Sequence, residues 1–170
     1  PDIMLDGVER VLGQRLLGLA QPLHSYINRV YEVQTAAGER LIAKFYRPGR
    51  WSRDALLDEH GLVLSCAAEE IPVVAPMAFE GETLHEVEGI YFALFPKRWG
   101  RAFEATCDDD WRRLGRVLGR LHGVGSQAPA PHRVVMHPAR STTADVAQLR
   151  EAEVVSPRQR SAFFAVAEAL

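Results

Sequence analysis

The sequence predicts an α+β fold: an antiparallel sheet with one packed helix, followed by helices only. Three observations lead to this prediction. Residues 30–35 and 40–46 alternate in the two-residue period of β-strands, and a turn at Gly38 joins them into a hairpin. Residues 53–68 have the composition and capping of a helix. After Pro96 the hydrophobic period is helical, which indicates the opening of a second, helical lobe.

Each element has its own local signal, from amphipathic spacing to Pro and Gly breaks. In chain order we expect a helix over residues 3–14, the first hairpin and a helix over residues 53–68 capped by Ser52. A strand over residues 71–81, bounded by Pro72 and Pro76, and a second hairpin over residues 82–96, turning at Glu88–Gly89, should follow. The last elements are a helix over residues 107–125 and two further helices. We therefore divide the chain into an N-terminal lobe, residues 1–95, and the hinge and beginning of a helical C-terminal lobe, residues 96–170.

Composition excludes several classes of function. The 170 residues carry a formal net charge of -2, which does not favour a nucleic-acid-binding protein or a polybasic membrane surface. No apolar run approaches the length of a membrane span, and no metal-ligand spacing of His or Cys occurs. Cys66 and Cys107 form no disulfide framework, so we expect a cytoplasmic protein. Because the chain begins at Pro1 and ends in a helix-like segment without a stop signal, we expect the N-terminal portion of a longer protein.

Lys44 lies in the middle of an apolar strand, where a charged side chain needs a partner or access to water. Glu59 is the natural partner, because its neighbours one turn away on the predicted helix are apolar and an unpaired buried carboxylate is costly. Asp58, in contrast, is expected on a solvated face. The pair is either a purely structural ion pair or the arrangement with which protein kinases direct a lysine at the α- and β-phosphates of ATP.

Two further segments occupy positions that bind nucleotide in kinases. The segment before the first hairpin lacks a Gly-rich loop, but backbone N–H groups of a tight turn at Ser25 and Asn28 can bind phosphate; capping of the hairpin by the same residues is an equal alternative. The "YFALFPKRWG" stretch is in the place of the hinge that pairs with adenine. The "HRVVMHP" stretch resembles an H-R-D loop, but Val134 stands in the Asp position, so we assign it no catalytic role.

The stretches "SYINRVYEV", "AKFYRPGRW", "DEHGLVLSCAAEEIPVVAP", "YFALFP" and "LGRLHGVG" together resemble the bacterial stress-response kinase A family. That resemblance implies an aminoglycoside-phosphotransferase-like kinase fold and an ATP- and Mg²⁺-dependent Ser/Thr protein kinase. By the same resemblance, Lys44 is the lysine that anchors phosphate, and Glu59 is the helix residue that pairs with Lys44. The phosphate-covering loop runs from Ser25 through Tyr26 and Asn28 to Arg29, and the adenine hinge runs from Phe95 through Lys97 to Arg98.

The chain lacks the residues that complete a kinase site. A catalytic-loop Asp, a metal-binding Asn and a second metal-binding Asp should all follow the hinge, but the only Asn is Asn28 and the only Asp after Asp110 is Asp145. We therefore predict no catalytic residue and no metal ligand within these residues. A small-molecule kinase of the aminoglycoside, choline or homoserine type is an alternative, and a non-catalytic interaction module is a second one. ATP and a protein substrate are the expected partners, with no nucleic acid and no membrane.

Overall fold

A computed structural model describes residues 2–18 and 20–169, which form two compact units that divide between residues 133 and 134. The first unit contains helices α1 (Asp2–Leu12), α2 (Arg53–Ala68) and α3 (Asp108–Gln127) and strands β1 (Gln21–Leu23), β2 (Arg29–Gln34), β3 (Arg40–Phe45), β4 (His85–Val87) and β5 (Ile90–Pro96). The second unit contains α4 (Pro138–Glu151) and α5 (Pro157–Ala169). The lobe boundary after residue 95 stays a prediction.

The five strands form one antiparallel sheet in the order β1-β2-β3-β5-β4, with β3 at its centre. Both predicted hairpins are present. Gly38 has a φ of +87° in the β2–β3 turn, a conformation that glycine adopts without steric cost. Glu88 and Gly89, with φ of +48° and +74°, form the two-residue β4–β5 turn whose backbone twist matches that of the strands.

Each face of the sheet carries its own apolar cluster and its own helix. Leu41, Ala43 and Phe45 of β3 face α1, where Met4 and Val8 complete a core with residues of β2, β4 and β5. The opposite face packs Tyr46, Leu84 and Ala93 against Leu56 of α2. The predicted antiparallel sheet with a packed helix is therefore confirmed, and the helix expected over residues 3–14, found as α1, packs on the other face of the same sheet.

Two strand predictions need correction. Residues 71–81 form no strand apart from one isolated bridge between Phe79 and Glu82, because Pro72 and Pro76 lack the backbone donors that a ladder requires. Met77 still donates its N–H to the Leu94 carbonyl at 2.8 Å, so the segment follows the sheet without joining it. The short strand β1 was missed, because three residues give no measurable alternation.

Helix α3 begins with three acidic residues, which suit the positive end of its dipole. Its predicted apolar face exists, but none of its residues is buried, and Trp111, Leu114 and Leu118 are exposed. In the second unit, Phe164 of α5 is buried and the Arg150 guanidinium lies 4.4 Å from its ring centroid. None of the helices in the described part of the chain is long and apolar enough to cross a membrane.

The contact between α1 and β4 leaves no room for a side chain at Gly7. A Cβ there would lie 2.8 Å from Val87 Cβ, whereas a Cβ at Gly61 of α2 would meet no described atom within 4 Å. We expect Gly7→Ala to lower the free energy of unfolding by about 1–3 kcal/mol through overpacking. Gly61→Ala, the matched control, is expected to raise it by up to about 1 kcal/mol through helix propensity. Urea denaturation measures both, and a stabilised Gly7→Ala protein would contradict this packing.

Candidate functional site

The predicted ion pair between strand and helix is confirmed. Lys44 Nζ of β3 lies 3.0 Å from Glu59 Oε1 of α2. Strand alternation turns Lys44 toward α2, between Val30 of β2 and Ala93 of β5 in the sheet register. The Lys44 side chain is 25% exposed and that of Glu59 31%, so the pair is half-buried and still open to a ligand.

The Lys44–Glu59 pair contributes little to the stability of the fold. An ion pair that water reaches contributes about 1 kcal/mol or less, because screening and lost side-chain entropy offset the attraction. The Lys44 ammonium also lies 4.6 Å from the Tyr46 ring centroid, which adds a cation–π contact on the same face. The arrangement therefore fixes the position of a positive charge without being required to hold the fold together.

Sequence reasoning missed the third member of this cluster. Arg133, in the segment that follows α3, donates from Nη1 to Glu59 Oε2 at 3.3 Å, so each carboxylate oxygen has its own cation. The backbone N–H of His132 donates to Asp58 Oδ2 at 2.8 Å, and the Asp58 side chain is only 14% exposed. The expectation of a solvated Asp58 was therefore wrong, because a segment 74 residues away in sequence covers that face of α2.

A buried hydrogen-bond network lies beneath the pair and was also missed. His60 is 2% exposed; its Nε2 lies 2.7 Å from Tyr46 Oη and its Nδ1 lies 2.9 Å from Thr83 Oγ1. Burial raises the pKa of Tyr46 above its ordinary value, and the charge of Glu59 adds to this. Burial lowers the pKa of His60 from its ordinary value. Both groups are therefore neutral near pH 7, and the network joins β3 to α2 without adding charge.

The predicted phosphate-covering residues lie between β1 and β2. Ser25 Oγ accepts from the Asn28 N–H at 3.3 Å, and Asn28 Oδ1 accepts from the Arg47 N–H at 3.4 Å. Tyr26 is fully exposed and Arg29 is exposed at the start of β2. The polar side chains are thus used to shape the turn, as in the capping alternative, and a phosphate role for the loop stays a prediction.

The predicted hinge residues have mixed surroundings. Phe95 pairs with Ile42 in the sheet and lies on the α2 face, with its ring centroid 6.5 Å from that of His60. Lys97 Nζ lies 2.6 Å from Glu32 Oε2, and this hydrogen bond lowers the pKa of Glu32. The Lys97 N–H donates to the Arg40 carbonyl at 3.3 Å. The side chain of Lys97 therefore links the end of β5 to β2 across β3, and its place in a base-binding hinge stays a prediction.

No metal centre is evident among the side chains that the structure describes, since no three His, Cys, Asp or Glu side chains are grouped to hold an ion.

Comparison with known proteins decides the family. The sequence matches the phosphotransferase enzyme family over residues 19–170. The chain belongs to this family. The chain is also similar to stress response kinase A of Shigella flexneri, 44% identical over 133 residues, and to serine/threonine protein kinase RdoA of Salmonella typhimurium, 39% identical over 149 residues. The resemblance predicted from the sequence is thus confirmed.

The chain covers only part of these relatives. The matched residues are 78% of this chain but 40% of the Shigella protein, and 88% of this chain but 45% of the Salmonella protein. Among solved structures, macrolide 2'-phosphotransferase MphH from Brachybacterium faecium is similar with a TM-score of 0.59 at 20% identity, over 98% of this chain and 59% of that one. This likeness concerns the fold alone, and it confirms the predicted kinase-like α+β architecture.

The buried histidine of the network gives a prediction about pH. Because burial lowers the pKa of His60, the unfolded state binds more protons once the pH falls below about 6.5, and the free energy of unfolding should then decrease. This loss should end below the pKa of folded His60. His60→Gln should flatten part of the dependence; His85, whose pKa burial also lowers, accounts for a further part. Chemical denaturation between pH 5 and 8 measures this, and a pH dependence that His60→Gln leaves unchanged would contradict the assignment.

Proposed function

We propose that this chain is the nucleotide-binding part of an ATP-dependent kinase, in which Lys44 anchors the α- and β-phosphates and Glu59 holds Lys44 in place. The observation that carries the proposal is the 3.0 Å contact between the Lys44 ammonium and the Glu59 carboxylate, formed between the central strand and the helix packed on it. Lysine suits this task because its ammonium is a compact point charge with three donors. Once phosphate is bound, two anionic groups share that ammonium.

The remaining predicted residues would surround the nucleotide from two sides. The loop from Ser25 to Arg29 would cover the phosphates with its backbone N–H groups, since Ser25 and Asn28 already hold the loop in a tight turn. The stretch from Phe95 to Arg98 would receive adenine through backbone groups. The Lys97 ammonium is bonded to Glu32, so its side chain would support this stretch and not contact the base.

Phosphoryl transfer would require residues beyond those present. The chain spans 40% and 45% of the two relatives, and we propose that a catalytic Asp, a metal-binding Asn and a second Asp lie in the remaining part. Mg²⁺, when bound there, would neutralise charge that develops on the phosphates. The contribution of this chain would be positioning and a fixed positive charge.

We further propose that the acceptors are Ser and Thr hydroxyls of proteins, in a stress response in the cytoplasm. The support is the names of relatives that are 39–44% identical over most of this chain. The small-molecule phosphotransferase named above is 20% identical and supports the fold only. The free thiols of Cys66 and Cys107 agree with a reducing compartment.

Substitution of Lys44 tests the nucleotide role. In the complete gene product, Lys44→Ala is expected to lower the rate of phosphoryl transfer by about 100-fold or more, as for other groups that stabilise transferred charge. The free energy of unfolding should change by about 1 kcal/mol or less, because the pair is half-exposed. The control is Arg15→Ala, which removes the cation of another 3.0 Å ion pair, with Glu9, and should leave the rate unchanged. Full turnover in Lys44→Ala would contradict the nucleotide role of Lys44, whereas the absence of phosphoryl transfer in the wild-type complete gene product would favour the non-catalytic interaction module.

The acceptor is tested separately with γ-labelled ATP and the complete gene product. We expect label on Ser and Thr of protein acceptors and none on aminoglycoside, choline or homoserine supplied at the same concentration. Label on one of the small molecules in preference to protein would contradict the protein-kinase proposal while leaving the role of Lys44 intact.

A further inference from the structure

The segment after α3 reaches back to α2 through a tight turn that ends at Arg133. The Arg133 N–H donates to the Ala130 carbonyl at 3.1 Å, which closes the turn. Within unit 1 the turn brings two adjacent side chains, His132 and Arg133, to two adjacent carboxylates of α2, Asp58 and Glu59. These two adjacent pairs fix the position of the turn along the axis of α2, because a shift of the turn by one residue would break both contacts.

The position of this turn does not depend on the charge state of His132. Its backbone N–H donates to Asp58 Oδ2 at 2.8 Å, and backbone donors remain whether or not the imidazole is protonated. The ring nitrogen Nδ1 adds a longer contact of 3.4 Å to Asp58 Oδ1. Arg133 is therefore held at its place by its neighbour as well as by its own contacts.

The Arg133 guanidinium makes three contacts, all directed at α2 or the residues just before it. Nη1 donates to Glu59 Oε2 at 3.3 Å and to the Ala55 carbonyl, one turn earlier, at 3.4 Å. The guanidinium carbon lies 4.0 Å from the centroid of the Trp51 ring, a cation–π distance. The planar group is thus stacked on an aromatic side chain and directed at one carboxylate oxygen, which leaves the other oxygen to Lys44.

This geometry addresses a weakness of the Lys44–Glu59 pair. Both side chains are long and half-exposed, so a two-member pair would lose conformational entropy when it adopts one geometry. A third group that fixes the second carboxylate oxygen pre-organises Glu59, and Glu59 then directs Lys44. Restricting a binding group before its ligand arrives increases affinity without any new contact to the ligand.

We propose that Arg133 is a positioning residue of the nucleotide site: it holds the Glu59 carboxylate in the orientation that presents the Lys44 ammonium to the phosphates of ATP. The inference rests on the proposed function and extends it, because it makes the segment after α3 part of the apparatus that sets the position of Lys44. Arg133 acts through Glu59 and touches no phosphate.

A double-mutant cycle on the complete gene product tests this role, with the ATP dissociation constant as the readout. Arg133→Ala is expected to weaken ATP binding about three- to tenfold, the range of coupling between groups in contact. In a Glu59→Ala background the same substitution should change the constant by no more than about twofold, because the group through which Arg133 acts is gone. The matched control is Arg53→Ala, which removes an arginine of α2 that pairs with a different carboxylate, Glu82, and this variant should bind ATP as the wild type does.

Thermal unfolding of every variant separates this role from a purely structural one. A loss of unfolding temperature in Arg133→Ala without a change in ATP affinity would overturn the inference, provided that Lys44→Ala still weakens binding. Independent, multiplying effects of Arg133→Ala and Glu59→Ala would also overturn it, since they would mean that Arg133 contacts the nucleotide itself. Unchanged affinity in Lys44→Ala would instead overturn the proposed function. If Arg133→Ala does not fold, Arg133→Gln replaces it. This variant is also expected to weaken ATP binding, and the same results would overturn the inference.

Discussion

The alternation of side chains along β3 is the constraint on which the rest of the structure depends. Because β3 is the central strand, Leu41, Ala43 and Phe45 enter the core under α1, and Lys44 is turned to the face that carries α2. A slip of one residue in the register would exchange the two sets. The ammonium would then be buried in an apolar cluster without a partner, at a cost of several kcal/mol. The register that buries the core residues of β3 therefore also places Lys44 in the candidate site.

The buried polar groups next to the charged pair are themselves uncharged. Tyr46 and His60 join the strand to the helix directly under the Lys44–Glu59 pair, yet burial keeps the hydroxyl protonated and the imidazole neutral. Neither group therefore competes with Lys44 for the Glu59 carboxylate near neutral pH. The result is an uncharged, hydrogen-bonded support next to a small cluster of charges, and the proposed phosphate site requires such fixed charges.

Both hairpins and the Lys44–Glu59 pair were predictable because they depend on local sequence patterns. The alternation around Lys44, the turns at Gly38 and Glu88–Gly89 and the apolar neighbours of Glu59 specified both hairpins and the ion pair. Contacts that join distant segments had no such signal: nothing local connects Arg133 with Glu59, or Thr83 with His60. The strand expected over residues 71–81 failed for the opposite reason, since an apolar run has the right composition while its two prolines remove the donors that pairing needs.

The chain contains only two lysines, Lys44 and Lys97, among twenty basic residues. Each ammonium is engaged by a glutamate, at 3.0 Å and 2.6 Å, and each lies on a different part of the same sheet. Amine-selective acylation, which requires an unprotonated and accessible amine, therefore has just two side-chain targets in these residues. Mass spectrometry of two peptides is enough to follow both lysines, so protection of Lys44 by a bound ligand can be measured by covalent footprinting, with Lys97, which follows β5, as an internal reference.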